Sequence, residues 1–259
     1  MSAPLAPITF EADGAAMECF LVPWDTEIFG FPVAQISRLE LGEGADAGGV
    51  LRAFDGWCVD QRVGLASCRL DHARLRESMA LEEVGFRFVE MVYEPRLDLI
   101  DRVAAPRLAI QISEARDDDL AAIEEIAYSA FTTGRFLLDW RLPPDLSRRR
   151  YAAWVRNSFR DPGHDVLKAT ADGELVGFFI VETRPDASVY WHLTAIAPRW
   201  QGKGMGMSLW RTMLLRHRAD DATSVSTTIS GHNPPALNLY ARLGFKFGAA
   251  QMTFHRLTP

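Results

Sequence analysis

Cysteine is scarce in this chain of 259 residues, which contains only Cys19, Cys58 and Cys68. An odd number of cysteines without metal-ligand spacing argues against a disulfide framework and against a zinc site, so no metal is expected. We interpret the three as small buried hydrophobic residues of a protein in a reducing compartment, which predicts a cytoplasmic location.

The chain also lacks an excess of basic charge and long apolar runs. Its formal net charge is −6 and it has no block of Lys and Arg, so nucleic acid is not an expected partner, because duplex binding uses clustered cations. No window approaches the roughly 18 uncharged apolar residues of a membrane helix. The first residues lack the basic and apolar regions of a secretory signal. The composition, 48% apolar and 24% charged, is that of a globular protein with room for two domains.

Residues 110–257 alternate between strand-like and helix-like segments, which predicts an α/β protein. The predicted strands are 110–116, 166–170, 175–183, 189–197, 223–230 and 245–257. The predicted helices are 120–131, 151–159, 205–218 and 234–243. Asn233 is a favoured N-cap residue before Pro234, and Gly244 is a favoured residue just after a helix.

An internal repeat connects the two halves of the sequence. The segment L-E-E-V-G-F-R-F (81–88) matches Y-A-R-L-G-F-K-F (240–247) at an offset of 159 residues. The same offset places residues 64–70 on 223–229, 50–59 on 209–218 and 42–49 on 201–208. We interpret this as a duplication; a chance match of common segments is the alternative.

The first copy differs from the second where chemistry is expected. Its loop carries Glu43 and Asp46, which repel anions, and Arg74 and Leu81 stand at the positions of Asn233 and Tyr240. The sequence therefore predicts a degenerate domain over residues 1–105 and a catalytic domain over residues 106–259, joined by a linker within 98–109.

The loop P-R-W-Q-G-K-G-M-G-M (198–207) follows a predicted strand and precedes a predicted helix. Glycines at 202, 204 and 206 let the backbone approach a ligand, and the free amides of a helix start attract anions. Neither the dinucleotide-binding spacing nor a P-loop lysine motif is present. On its own, the loop is either an anion site or a flexible turn.

The wider pattern resembles the GNAT acetyltransferases. L-T-A-I-A-P-R-W-Q-G-K-G-M-G-M-S-L resembles their first motif, and Asn233 followed by A-L-N-L-Y (236–240) and L-G-F resembles their second. The resemblance covers about residues 108–257. It implies a mixed central sheet flanked by helices, preceded here by a smaller GNAT-like domain, and acetyl-CoA as cofactor. It also implies a bulge that separates the strand before the loop from its neighbour. Cofactor binding is then expected at Leu193, Thr194, Ala195, Ile196, Gln201, Gly202, Lys203, Gly204, Met205, Gly206, Met207, Asn233 and Tyr240.

Other segments resemble the dTDP-fucosamine acetyltransferase branch of that family. They are W-D-T-E-I-F-G-F-P-V (24–33), T-G-R-F-L-L-D-W (133–140) and Y-A-A-W-V-R-N-S-F (151–159). That branch acetylates the amine of a nucleotide-linked amino sugar, which implies a small-molecule amine as acceptor. The expected acceptor-binding residues are Arg135, Phe136, Asp139, Tyr151 and Asn157.

The resemblance gives Tyr240 the role of general acid toward the leaving thiolate; the alternative is a tyrosine of the core. His192 and a water chain are the two candidates for the base, since histidine has a suitable pKa. Asn233 binds the cofactor, caps its helix, or does both. Other acceptors, namely a different small amine or a peptide N-terminus, remain open, as does a non-catalytic acyl-CoA sensor. The oligomeric state is also open, with a homodimer as one option.

Overall fold

The computed structural model describes residues 6–99 and 103–258 of the chain. Strands and helices are numbered in chain order. The strands are β1 (Ile8–Ala12), β2 (Ala15–Leu21), β3 (Val33–Leu41), β4 (Leu65–Asp71), β5 (Arg87–Tyr93), β6 (Pro95–Asp98), β7 (Gln111–Glu114), β8 (Asp165–Ala171), β9 (Glu174–Thr183), β10 (Ser188–Ile196), β11 (Ser224–Thr227), β12 (Ile229–Ser230), β13 (Lys246–Phe247) and β14 (Gln251–Leu257). The helices are α1 (Pro23–Phe29), α2 (Gly48–Asp60), α3 (Leu75–Glu83), α4 (Leu120–Ala130), α5 (Arg135–Leu138), α6 (Pro144–Ser158), α7 (Met205–Ala219) and α8 (Pro234–Leu243).

The chain divides into two compact units. Among the described residues, the C-terminal unit comprises 93–99 and 103–248, and the N-terminal unit comprises 6–92 together with 249–258. The boundary predicted from the sequence, at residues 105 and 106, differs from this division in two segments. Residues 93–99 and 103–105 fall in the C-terminal unit, and residues 249–258 fall in the N-terminal unit. Residues 100–102 of the predicted linker lie outside the described residues.

The C-terminal unit is a mixed sheet covered by helices on both faces. Its strand order is β13-β6-β11-β10-β9-β8-β7, with β10 and β11 parallel. On one face a buried cluster around Trp191 packs against α7 and α8. On the other face Leu193 and Ala195 pack with Ile123 of α4 and Val155 of α6. The predicted α/β class and the mixed sheet are confirmed.

The N-terminal unit repeats this arrangement on a smaller scale. Its strands follow the order β1-β2-β3-β4-β14-β5, with β3 and β4 parallel. The core contains Met17, Phe54, Phe86 and Phe254, each no more than 1% exposed. Phe254 lies on β14, so the final strand of the chain helps to complete this core.

Backbone geometry supports the duplication. Residues with positive φ recur in both units at the offset of 159, which is where a left-handed turn must occur in each copy. The pairs are Asp13 and Asp172 (φ 49° and 51°), Gly14 and Gly173 (78° and 79°), Arg62 and Asp221 (53° and 59°), and Gly85 and Gly244 (89° and 93°). The first two pairs form the hairpin turns, and the glycines of the last pair end α3 and α8.

The strand before each loop follows a different offset. β3 and β10 correspond when Val33 is placed on Ser188, an offset of 155. In this alignment each strand pairs in parallel with its own neighbour for four residues, β3 with β4 and β10 with β11, before the two neighbours separate. The ungapped offset of 159 predicted across the loop is therefore wrong. The loop of the C-terminal unit, residues 197–204, is longer than its counterpart, residues 42–47.

Two predicted strands also differ from the structure. The segment 245–257 contains β13 and β14, which belong to different units and are separated by residues 248–250. The segment 223–230 breaks at Thr228. Within the described residues, no helix has the length and apolar character of a membrane span, and no group of three or more His, Cys, Asp or Glu side chains could hold a metal ion.

Candidate active site

The centre of the C-terminal sheet opens into a fork between β10 and β11. Their pairing ends at Trp191 and Thr227, and the Thr227 hydroxyl donates to the Trp191 carbonyl at 2.8 Å. Immediately after this point, β10 has a bulge between Trp191 and Leu193 in its pairing with β9. A bulge bends the strand that carries it, so β10 turns away from β11. The bulge that the family resemblance implies is present.

The fork exposes backbone groups of β10. The Ala197 amide donates to Val176 of β9 at 2.9 Å, which fixes the direction of the alternating backbone groups before it. By this alternation, the amide and carbonyl groups of Thr194 and Ile196 point away from β9 and into the fork. The Gln201 side chain donates to the Ile196 carbonyl at 3.0 Å. The fork therefore offers the backbone of Thr194 and the amide of Ile196 to an extended ligand.

The glycine loop lies at the start of α7, directly after β10. Gly202 and Gly204 have φ values of 73° and 74°, which side chains other than glycine rarely adopt. Both glycines are exposed, as are Gln201 and Lys203, so the loop is accessible from solvent. The first amides of α7 lack intrahelical acceptors, and the helix dipole favours an anion there. This geometry fits a phosphate group.

The two methionines at the start of α7 are partly or fully withdrawn from solvent. Met205 is buried in the core with the cluster around Trp191, and Met207 is half-buried. Gly206 lies close to Ile196 and Leu239. A Cβ added at this glycine would lie 3.4 Å from the Ile196 side chain and 3.5 Å from the Leu239 side chain. The tight packing holds the start of α7 against the end of β10.

Tyr240 lies on α8, and its side chain enters the cluster around Trp191. It is 3% exposed and its ring packs edge-on to Trp191 and Trp210 at 6.2 Å. Burial raises the pKa of Tyr240 to about 12, partly offset by the Trp210 indole and by the hydroxyls of Thr194 and Thr227 beside the phenol. Because Thr227 is the last paired residue and Thr194 lies inside the fork, the Tyr240 hydroxyl is at the point where the strands separate.

Asn233 caps α8. Its side-chain oxygen accepts a hydrogen bond from the Ala236 amide at 3.1 Å, the contact expected of an N-cap residue. This capping bond occupies the oxygen, whereas the amide nitrogen has no competing hydrogen bond within the described part of the chain. The capping role predicted for Asn233 is confirmed, and its contact with the cofactor stays a prediction.

His192 projects from the bulge toward the face of the sheet that α6 covers. Its Nε2 is 2.9 Å from Oε2 of Glu182, and its ring centroid is 4.5 Å from that of His164 and 4.8 Å from that of Tyr190. Burial lowers the pKa of His192, and the Glu182 carboxylate partly counteracts this shift. The histidine is therefore neutral near pH 7, as a base must be.

Two guanidinium groups lie over one aromatic ring in the predicted acceptor region. The Cζ atoms of Arg135 and Arg150 are 4.6 Å and 4.7 Å from the ring centroid of buried Phe136. Arg150 also lies 5.5 Å from the Trp154 ring. The run Arg148-Arg149-Arg150 alone indicates either a solvated helix face or a contact with a diphosphate, and the structure stacks Arg150 on the same ring as Arg135. Helical spacing alone does not reveal this, because Phe136 comes from another helix.

The remaining predicted acceptor residues differ in their surroundings. Asp139 is 4% exposed and binds the Arg141 guanidinium through both oxygens at 2.8 Å, so its carboxylate is engaged within the protein. Tyr151 stacks on Phe131 with 4.5 Å between centroids. Asn157 is half-buried near the end of α6. The structure thus places Tyr151 and Asn157 on α6, while Asp139 has a structural contact that the sequence does not indicate.

The corresponding fork of the N-terminal unit is filled by its own side chains. Leu39 and Leu41 occupy the positions of Thr194 and Ile196 at the offset of 155. The Arg74 guanidinium donates to the Leu39 carbonyl at 3.0 Å and to Glu77 Oε1 at 2.8 Å. The same Glu77 oxygen accepts from the Leu41 amide at 3.2 Å. This ion pair occupies the backbone groups that stay open in the C-terminal unit.

Comparison with known proteins identifies the family. Residues 120–245 match the model of the acetyltransferase (GNAT) family. The chain is 30% identical over 173 residues to L-2,4-diaminobutyric acid acetyltransferase of Nocardia farcinica, covering 66% of this chain and 83% of that protein. The chain belongs to the GNAT family. It is therefore an acetyl-CoA-dependent N-acetyltransferase.

The names of two other relatives refer to carbohydrates. The chain is 28% identical over 168 residues to dTDP-fucosamine acetyltransferase of Escherichia coli, covering 64% of this chain and 69% of the relative. It is 26% identical over 137 residues to the spore coat polysaccharide biosynthesis protein SpsD of Bacillus subtilis. This match covers 53% of the chain and only 47% of SpsD, so the chain spans about half the length of that relative.

Solved structures agree with the fold across both units. A GCN5-related N-acetyltransferase from Sphaerobacter thermophilus has a TM-score of 0.67 at 14% identity, covering 95% of this chain and 81% of that one. A tandem GNAT protein from the clavulanic acid biosynthesis pathway has a TM-score of 0.63 at 17% identity, covering 99% and 85%. At these identities the matches establish the fold, including a preceding GNAT-like half.

Proposed function

We propose that the protein transfers the acetyl group of acetyl-CoA to the primary amine of a nucleotide-linked amino sugar, by direct attack of the amine. The observation that carries this proposal is the fork between β10 and β11, which has open backbone groups along one arm and the Tyr240 phenol at its apex. Acetyl-CoA supplies the acyl group as a thioester.

The residues of the fork and loop fit the cofactor. The pyrophosphate is assigned to the amides of residues 202–207, where Lys203 adds positive charge and the helix dipole favours an anion. The extended pantetheine arm is assigned to the backbone of Thr194 and Ile196, with Leu193 and Ala195 supporting the strand from the opposite face. An amide of this strand is assigned to the thioester oxygen, as an oxyanion-hole donor.

Tyr240 and His192 are assigned the two proton transfers. His192 takes the proton that the amine loses as its nitrogen bonds to the acyl carbon, and Tyr240 gives a proton to the sulfur as the carbon–sulfur bond breaks. Burial raises the pKa of Tyr240 to about 12, so the phenol carries its proton near neutral pH and has one to give to the sulfur. His192 lies on the face that α6 covers, where the acceptor is expected to enter.

Charge and similarity both support a phosphate-bearing acceptor. Arg135 and Arg150 place two guanidinium groups over Phe136, and guanidinium groups suit phosphate recognition. The similarity to dTDP-fucosamine acetyltransferase favours a nucleotide-linked sugar. The similarity to L-2,4-diaminobutyric acid acetyltransferase makes a small amino acid the second candidate.

Thiol release from acetyl-CoA, measured over a panel of acceptors, tests the proposal. The panel holds nucleotide-linked amino sugars, the same sugars without the nucleotide, 2,4-diaminobutyrate and a peptide with a free N-terminus. We expect the highest kcat/KM with a nucleotide-linked sugar. Replacing both Arg135 and Arg150 by Gln should raise KM for that acceptor and leave KM for the free sugar unchanged. Activity confined to the diamino acid or the peptide would refute the acceptor class, and acetyl-CoA binding without turnover would favour a sensor.

Tyr240→Phe tests the general acid. It should lower kcat by roughly 10²-fold or more, the usual contribution of a positioned acid, because only the hydroxyl is lost. Acetyl-CoA affinity, measured by calorimetry, should change little. An unchanged kcat would show that Tyr240 is a core residue only.

A further inference from the structure

The cluster around His192 contains an acidic residue, Glu182, that takes no part in the proposed proton transfers. Glu182 lies on β9 directly opposite Tyr190 of β10, and His192 is two residues further along the same strand. The bulge interrupts regular alternation here, but the rings of Tyr190 and His192 lie 4.8 Å apart, so the two side chains share one face of the sheet. Glu182 is therefore diagonal to His192 across the two strands, within reach of a long side chain.

The contact between the two residues is a well-formed hydrogen bond. Nε2 of His192 lies 2.9 Å from Oε2 of Glu182. The ionised carboxylate accepts hydrogen bonds only, so a neutral His192 must carry its proton on Nε2 in this contact. The lone pair then lies on Nδ1, which has no hydrogen-bond partner among the residues that the structure describes.

The surroundings keep the imidazole in this orientation. His164 and Tyr190 pack against the ring at 4.5 Å and 4.8 Å, and Trp154 of α6 lies 6.4 Å away. The His192 side chain is 21% exposed, so the ring is largely enclosed but remains partly accessible. The tilted aromatic contacts limit rotation, and the carboxylate decides which nitrogen carries the proton.

We propose that Glu182 is a positioning residue for His192, fixing the tautomer in which Nδ1 accepts the proton of the acceptor amine. The catalytic role of the pair rests on the proposed function, whereas the pair itself rests on the 2.9 Å contact between Glu182 and His192. No atom of Glu182 needs to touch the acceptor. Its role is to hold the imidazole of His192 in one orientation and to place a negative charge next to it, while His192 contacts the acceptor.

The charged groups around His192 set the direction of the expected pH effects. Glu182 raises the pKa of His192, while His164 and Arg184 lower it, and burial is the largest effect and lowers it. Tyr190 is the other titratable group against the ring, and Trp154 brings no charge. Replacing Glu182 by Gln removes the one carboxylate in this set. The pKa of His192 should therefore fall, and the acid limb of kcat/KM should move to lower pH.

The kinetic test compares Glu182→Gln and Glu182→Ala with the unchanged protein and with the control Glu125→Gln, which alters an exposed glutamate of α4. We expect kcat/KM to fall by roughly tenfold in Glu182→Ala, a part of the ~10²–10⁴-fold that a positioned base supplies. Glu182→Gln should shift the acid limb of the kcat/KM profile to lower pH. The control Glu125→Gln should change neither the value of kcat/KM nor its pH profile. In the His192→Ala background, Glu182→Ala should have no further effect, because coupled residues are not additive.

A direct measurement separates this proposal from the proposed function. NMR of labelled histidine should show His192 protonated on Nε2 in its neutral form and titrating at lower pH in Glu182→Gln, with or without turnover. If NMR shows this protonation and titration but no amine is acetylated, the proposed function is refuted and the Glu182–His192 pair is still supported. If His192 is protonated on Nδ1, or if its titration ignores Glu182, the pair is refuted whatever the activity. If turnover occurs and the pH profile is unmoved by Glu182→Gln, the positioning role is refuted.

Discussion

At the scale of single residues, the buried pair of Trp191 and His217 shows how one hydrogen bond joins the sheet to α7. The Trp191 indole donates to Nε2 of His217 at 2.9 Å, and both side chains are at most 5% exposed. The bond requires an unprotonated Nε2. Burial lowers the pKa of His217 to about 4, with a smaller effect of Arg216 in the same direction and an opposing one of Asp220.

This pair predicts a loss of stability in acid. Between the ordinary histidine pKa of about 6.5 and the folded value of about 4, only the unfolded chain binds a proton at this position. The free energy of unfolding should therefore decrease as the pH falls through this window, by roughly 3 kcal/mol in total. Denaturant unfolding at a series of pH values measures it.

The variants His217→Gln and His232→Gln provide the comparison. Gln at 217 keeps a hydrogen-bond acceptor without a titrating group, so the pH dependence in this window should flatten. His232 is exposed, and its replacement should leave the dependence as it is. An unchanged slope in His217→Gln would contradict the assignment.

The three cysteines illustrate the same effect of burial on a different group. All three are buried free thiols, and burial raises the pKa of Cys19 and Cys68 to about 12 and of Cys58 to about 11. A thiol with such a pKa stays protonated and is a poor nucleophile. Their interpretation as small hydrophobic residues is confirmed.

At the scale of elements, α8 is preceded by a residue, Asn233, that caps the helix and is also expected to contact the cofactor. Asn233 accepts from the Ala236 amide, Pro234 occupies the first helical position, and Gly244 ends the helix with φ 93°. These residue types are the usual ones for a helix that must begin and end sharply. Since α8 carries Tyr240, the cap also positions the phenol along the helix axis.

Substitutions of Asn233 separate its two roles. Asn233→Ala should lower the free energy of unfolding by about 1 kcal/mol, because the capping oxygen is lost. Asn233→Asp keeps an acceptor for the Ala236 amide and should retain stability, yet its negative charge should weaken acetyl-CoA binding if the residue faces the phosphates. Thermal unfolding and calorimetry measure the two effects. Equal acetyl-CoA affinity in Asn233→Asp and the unchanged protein would leave capping as its whole role.

At the scale of the whole molecule, each unit is completed by a strand from a distant part of the sequence. β14 pairs with β4 and β5 in the N-terminal unit, and β6 pairs with β11 and β13 in the C-terminal unit. Non-local pairing of this kind makes the N-terminal core dependent on residues near the end of the chain. A division of the protein at residue 105 would remove a strand from each sheet.

Phe254→Ala tests this dependence. Phe254 is 1% exposed in the core of the N-terminal unit, so its truncation should cost about 3–5 kcal/mol. Hydrogen exchange should speed up in β4 and β5 more than in β9 and β10. The control Phe247→Ala, at a residue 36% exposed in the C-terminal unit, should cost much less. Increased exchange confined to the C-terminal unit would contradict the assignment of β14.

Much of the fold and part of the site are encoded locally and were predictable. The hairpin turn at Asp172 and Gly173 and the ends of α8 follow from turn and capping preferences over a few residues. The glycine loop follows from its composition, and the open fork from the family resemblance. The partners of His192 and the stacking of Arg150 were not predictable, because they depend on contacts between elements that are distant in the sequence.

The sequence by itself determined how the hairpins turn, how α8 begins and ends, and which loop has the backbone freedom to approach a phosphate, since neighbouring residues decide these features. Only the tertiary structure decided which strands meet. It placed β14 in the N-terminal sheet, filled one fork with Arg74 and Glu77, and left the other open beside Tyr240. It also brought Glu182 to His192, because cross-strand register, which no single segment specifies, sets that distance.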